Sequence, residues 1–169
     1  MQLQGENIFL RTVFPSDADL LFKWENDKVN WQVSGTEKSF TEKEIKDFII
    51  NQKDIYLDKQ LRLLICINSP LKKGDKGVVA VGCIDLFEFD ERNSKAGIGV
   101  LIEEKHRKNG HASEALSVLI KYSFEILNLQ ELFCHISENN TASLKLFQKH
   151  KFILADKKEK ICSFQLLNS

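Results

Sequence analysis

Apolar residues recur along this chain with two different periods, and the places where the period changes mark its elements. Residues 7–13 (NIFLRTV) read as a strand. Ser16 is placed to cap a helix over DADLLFKWEND, with Asp17 and Asp19 in the first turn, where carboxylates favour the helix dipole. Thr41 and Glu44 have capping-box spacing ahead of IKDFIINQ, which sets Ile45, Phe48 and Ile49 on one helical face. Residues 61–67 (LRLLICI) and 78–89 (VVAVGCIDLFEF) are apolar and rich in β-branched side chains, and KKGDKG between them supplies turn chemistry. An antiparallel hairpin is expected. DERNSK turns the chain into another strand, 96–103 (AGIGVLIE).

From Ala112 the period lengthens. Ala112, Leu116, Leu119, Ile120, Phe124 and Leu127 describe one helix face. A short strand follows at 132–137 (LFCHIS), then a helix, TASLKLFQKH, capped by Asn139 or Asn140. FILA and KICSFQLL close the chain as an antiparallel pair. The order predicts a mixed α/β (α+β) chain whose central strand–helix–strand is a parallel, right-handed crossover. Only two prolines occur, no linker or repeat interrupts the 169 residues, and one domain over 1–169 is expected.

Composition narrows the class. Hydrophobic residues make up 43% and charged residues 28%, with 24 basic against 24 acidic side chains, so no footprint for nucleic acid or an anionic membrane is present. The opening MQLQGENIFLRTV lacks the features of a secretory leader, and no apolar run approaches a bilayer span. Cys66, Cys83, Cys134 and Cys162 sit among strand-like neighbours without a CxxC or zinc spacing. They read as buried reduced thiols of a cytoplasmic protein, with no metal expected.

The chemistry concentrates at 106–116, HRKNGHASEAL. Asn-Gly alone marks a hairpin corner, yet a helical pattern follows it here. A helix N-terminus offers free N–H groups and a positive dipole end to an anion. Gly110 permits positive φ and close approach of the backbone, Ala112 leaves room, and Arg107 and Lys108 add charge. The stretch therefore reads as a site for a diphosphate-bearing ligand. It is no P-loop, and GIGVLI (97–102) lacks the third glycine of a dinucleotide fingerprint and lies inside a strand.

RKNGHA resembles the acyl-CoA signature of the GNAT N-acetyltransferases, (Arg/Gln)-x-x-Gly-x-(Gly/Ala), through Arg107, Gly110 and Ala112. About 30 residues on, NTASLKLFQKHKF resembles that superfamily's Asn-x-x-Ser-x-x-Leu-Tyr-x-x-x-Gly-Phe through Asn140, Ser143, Leu146 and Phe152. Phe147 stands for the Tyr and Lys151 for the Gly. LRTVFPSDADLLFKWEND and VGCIDLFEFDERN are similar to the branch with ribosomal-protein N-terminal and spermidine (diamine) acetyltransferases. The resemblance implies a mostly antiparallel sheet of six to seven strands, with a splayed parallel pair and helices on both faces. It implies acetyl-CoA as cosubstrate. Backbone groups of Leu101, Ile102 and Glu103 would hold the pantetheine in the manner of an added strand. Arg107, Lys108, Asn109, Gly110, His111, Ala112 and Ser113 would hold the pyrophosphate. Asn140 would meet the pantetheine arm, with Ser143 and Phe147 at the thioester end.

The implied reaction is acetyl transfer to a primary amine: a protein N-terminus, a polyamine or another small amine. The alternative is an acyl-CoA-binding module with weak or lost chemistry. Phe147 cannot donate the proton that the family's Tyr gives the leaving thiolate, and Gly97 stands where related sequences often place Glu. Asp85, inside an apolar strand, is either a substitute base or amine anchor, or a carboxylate satisfied by backbone or an arginine. His111 and His135 are further proton-transfer candidates; the alternatives place His111 near the phosphates and make His135 a strand histidine with an ordinary hydrogen-bond partner. Glu88, Asp90 and Glu91 either attract a polyamine or form a solvated loop. Trp24 and Trp31 either shape an acceptor pocket or pack in the core; core packing suits Trp24 better, and Trp31 is more open. The expected partners are a small-molecule or peptide amine, neither nucleic acid nor membrane, and a second copy of the chain, since members of this family often dimerise.

Overall fold

The computed structural model describes residues 1–28, 30, 39–70 and 76–168. Trp31 and most of the KKGDKG turn lie outside the described residues. The strands are β1 (Gln2–Gln4), β2 (Ile8–Thr12), β3 (Leu61–Pro70), β4 (Lys76–Asp90), β5 (Lys95–Ile102), β6 (Glu131–Ser137), β7 (Ile153–Lys158) and β8 (Ile161–Leu167). The helices are α1 (Ala18–Asn26), α2 (Glu42–Asn51), α3 (Ile55–Asp58), α4 (His111–Glu125) and α5 (Thr141–Lys149). All eight strands join one sheet in the order β1-β2-β3-β4-β5-β6-β8-β7. Every neighbouring pair is antiparallel except β5 with β6, the ends of the expected crossover.

Strand alternation gives the sheet two apolar faces. Leu61, Leu63 and Ile65 of β3 pack with Ile84, Leu86 and Ile98 against Ala115, Leu116 and Leu119 of α4 and Phe147 of α5. Leu64 and Cys66 point the other way, with Phe9 and Cys83, onto Leu21 and Trp24 of α1 and Ile45 and Ile49 of α2. Period-2 strands sandwiched by period-3.6 helices are what the pattern requires. Burial pushes the Cys66 and Cys83 thiols up, and lifts Cys134 to about 12, so these are poor nucleophiles.

The Thr41–Glu44 capping box is present in both directions. The expected Ser16 cap is not used. Pro15 opens a 3₁₀ turn that runs into α1, and the residue at the helix boundary is Asp17. Its carboxylate accepts both Arg11 guanidinium nitrogens at 2.7 and 2.8 Å and the Phe14 N–H at 2.8 Å, tying α1 to β2. Eight strands form where six to seven are expected, because Gln2–Gln4 adds a short outer strand. Helix α3 is a single turn capped by Asp54, whose carboxylate accepts the Tyr56 and Leu57 N–H groups. Four residues are too few to show a period.

Candidate functional site

The parallel pairing of β5 with β6 ends early. Lys95, Ala96 and Gly97 pair with Glu131, Leu132 and Phe133, and beyond Gly97 the two strands separate. From there β5 keeps only β4, and β6 keeps only β8. Gly82 of β4 is needed at this level, since a Cβ there would meet the Leu101 carbonyl oxygen at 2.1 Å. Beyond the split, the C-terminal end of β5, at Val100, Leu101 and Ile102, borders a cavity of about 400 Å³.

The stretch 106–116 forms one wall. A 3₁₀ turn at Glu104–His106 leads to Lys108 at φ 64° and Gly110 at φ 83°, two left-handed residues in quick succession. Asn109 holds the turn by donating from Nδ2 to the His106 and Arg107 carbonyls at 3.1 and 3.2 Å. Gly110 is the boundary residue of α4 and provides no side-chain cap, so the first N–H groups of α4 keep their capacity for an acceptor. The space over Gly110 is open: a Cβ built there meets nothing within 4 Å. Glu114 anchors the helix start to β2 by accepting the Asn7 and Ile8 N–H groups at 2.7 and 3.2 Å. Burial would raise its carboxyl, but these bonds outweigh it and hold it below the ordinary value.

Helix α5 forms the facing wall. Asn140 caps it, its Oδ1 accepting the Ser143 N–H at 3.1 Å. Ser113 of α4 reaches α5 through His150 Nε2 at 2.9 Å, where burial, with Lys149 beside it, holds the imidazole below its ordinary value.

Leu101, Ile102, Arg107, Lys108, Gly110, His111, Ala112, Ser113, Asn140 and Ser143 all line the cavity. Arg107 does so with its side chain committed elsewhere: Nε donates to the Ile102 carbonyl at 2.9 Å and Nη2 to Asn30 Oδ1 at 3.2 Å. Asn109 acts through the turn and is absent from the lining. Glu103 is absent too. Its N–H donates to Val81, its carbonyl accepts from His106, and its carboxylate holds Lys23 at 2.8 Å. The lining also holds Asn30, Val100, His106, Ala142 and Leu146, to which the sequence assigns no binding role, although Leu146 is a signature match. Asn30 is brought in across 77 positions by Arg107, and no local pattern announces such a contact.

A helix start with free amides, facing a second helix start across a split in a sheet, can take an extended ligand ending in phosphates. The Acetyltransferase (GNAT) domain profile matches residues 7–153. The chain belongs to the GNAT acetyltransferase family. Uncharacterized N-acetyltransferase p20 of Bacillus licheniformis is 30% identical over 152 residues, covering 89% of this chain and 81% of that protein. The crystal structure of spermidine N-acetyltransferase from Vibrio cholerae, in complex with CoA and spermine, superposes with a TM-score of 0.81. It covers 95% of each chain at 17% identity. A putative ribosomal-protein-serine acetyltransferase from Vibrio cholerae gives a TM-score of 0.73 at 18% identity, covering 99% of this chain and 98% of that one.

In this GNAT chain neither Phe147 nor Asp85 lines the cavity. Phe147 is 3% exposed and packs edge-on against Phe152 at 5.0 Å. Asp85 is held by Arg62 in a two-toothed pair at 2.8 and 3.0 Å, and Glu25 takes the third guanidinium nitrogen at 2.5 Å. Of the two readings open for Asp85, an arginine-satisfied carboxylate is what the geometry shows. Asp90 belongs to a turn, accepting Asn93 Nδ2 at 2.6 Å. Trp24 is buried among α1 and α2 residues, and its Nε1 has no hydrogen-bond partner among the described residues. No helix among the described residues is long and apolar enough to cross a membrane.

Proposed function

We propose that residues 1–169 form one acyl-CoA N-acyltransferase domain, which moves an acetyl group from acetyl-CoA to a primary amine. The observation that carries this is the cavity joining the split of β5 and β6 to the open start of α4. The amides of residues 110–113, with Lys108 beside them, take the pyrophosphate. The β5 backbone at Leu101 and Ile102 takes the pantetheine amides, and Asn140 and Ser143 stand along the same arm. A β5 N–H at the split polarises the thioester carbonyl as the amine attacks. Glu103, with both backbone groups engaged, serves the site through Lys23 and the turn rather than by direct contact.

The acceptor is a protein N-terminus, a polyamine or another small amine. The related structures, named for spermidine and for a ribosomal-protein serine, support the first two classes. The working place is the cytoplasm, consistent with four buried thiols, and a homodimer is the expected assembly. Thiol release from acetyl-CoA, followed with spermidine and with an alanyl tripeptide as acceptors, tests the reading. Amine-dependent release is expected. Saturable CoA binding with no amine-dependent turnover would leave a binding module instead.

A further inference from the structure

We propose that His135 takes the proton from the acceptor amine, held for that task by Ser163. The inference rests on the transferase reading above and assigns its missing base. His135 lies two residues beyond Phe133, the last β6 residue paired with β5, so it stands where the strands part. It shares the sheet face of Phe133, opposite the face that packs α4 and α5. Its Nδ1 is 2.9 Å from Ser163 Oγ, and Nε2 has no hydrogen bond among the described residues on an exposed ring. The tautomer that donates from Nδ1 to Ser163 leaves the Nε2 lone pair outward, which is the arrangement a base needs.

Two other places for a base on this face, at Gly97 and at Asp85, are taken up. The ring of Phe87 lies over Gly97, where a Cβ would come within 2.2 Å of it, so the place of the family's Glu is filled by an aromatic edge. Phe87 is fixed in turn by a T-shaped contact with Phe133 at 5.8 Å, and Phe133 meets the His135 ring at 5.5 Å. Asp85 is neutralised by Arg62. Gly97 and Gly99 leave β5 bare, so an amine lying along this aromatic row reaches the split without crossing a side chain from that strand. Apolar surroundings also favour the uncharged amine over its ammonium.

In the step, the nitrogen lone pair forms the new C–N bond while the C–S bond breaks and its pair leaves on sulfur. The proton shed by nitrogen passes to Nε2, directly or through one water. The thiolate takes a proton from solvent and His135 returns its own to solvent, so the sum is amine plus thioester giving amide plus CoA thiol.

His135→Gln and Ser163→Ala test this, assayed with acetyl-CoA and either spermidine or the alanyl tripeptide. From β5, Lys95 lies on the same face at the level of Glu131, two residues before Gly97, while β8 places no charged side chain on it. The carboxylates on this face are Glu131 on β6, the Arg62-bound Asp85 on β4, and Asp156 on β7, the register partner of Ser163, which is 3.5 Å from Lys158. For H135Q, kcat is expected to fall about 100-fold or more, with CoA affinity unchanged. The rise of kcat/KM with pH that depends on a neutral imidazole should vanish with it. S163A should keep that rise, with a smaller loss of rate. Undiminished kcat and an unaltered pH profile in H135Q overturn the proposal. Failure of the wild type to bind CoA, or to turn over either amine, removes the transferase reading itself.

Discussion

Gly110 shows how a single residue sets the chemistry of this site. Its φ of 83° is unfavourable for any side chain, while the space over it is open. A substitution is therefore penalised by backbone strain and by intrusion into the cavity, not by collision with the protein. Gly110→Val should cost about 1–2 kcal/mol of stability, against a margin of roughly 5–15 kcal/mol for a folded domain. The protein should stay folded in a thermal melt while CoA affinity, measured by calorimetry, drops at least about tenfold. Gly97 is the opposite case. Its φ is ordinary, and what excludes a Cβ is the Phe87 ring. The two glycines look alike in the sequence, and only the helix pattern after Gly110 separated them. Nothing near Gly97 announced that Phe87 would cover it.

At the scale of elements, the Arg11–Asp17 pair joins β2 to α1 and makes a pH-dependent seam. Burial would raise the Asp17 carboxyl, but the Arg11 guanidinium and the Phe14 N–H outweigh it and hold it below its ordinary value. A carboxyl lowered by folding contributes stability above its unfolded value, near 3.9. That contribution is lost as pH falls through the lower folded value. Asp17→Asn should thus lower stability by about 2 kcal/mol at pH 7, with the two proteins converging in urea melts at acid pH. Elements with many periodic positions were legible: α2 with its capping box, α4, and the β3–β4 hairpin. The one-turn α3 and three-residue β1 were not, because each is too short to carry a period. The cap of α1 was misread for a different reason. Ser16 has the right chemistry, but the tertiary demand of Arg11 placed Asp17 at the boundary.

Across the whole molecule, the cavity lining at 107–113 and 140–146 was readable, since each group is nearly contiguous in the chain and sits at a helix start. The sheet face that carries Asp85 and His135 was not readable, because its contacts join distant strands. Arg62 gathers Asp85 and Glu25 across 23 and 37 positions, and Ser163 meets His135 across 28. The split between β5 and β6 has a consequence of its own. It gives an eight-stranded sheet two extra edges in its interior, and an unpaired edge is a template for any extended chain. Amides of β5 beyond Gly97 that point away from β4 should exchange with deuterium faster than those at Lys95–Gly97, and slow down when CoA is added. Unchanged exchange would mean that the ligand does not complete the sheet. With CoA at about 100 times its Kd, filling that edge should add about 2.7 kcal/mol of stability. The split is also where the protein without ligand is most open to mispairing.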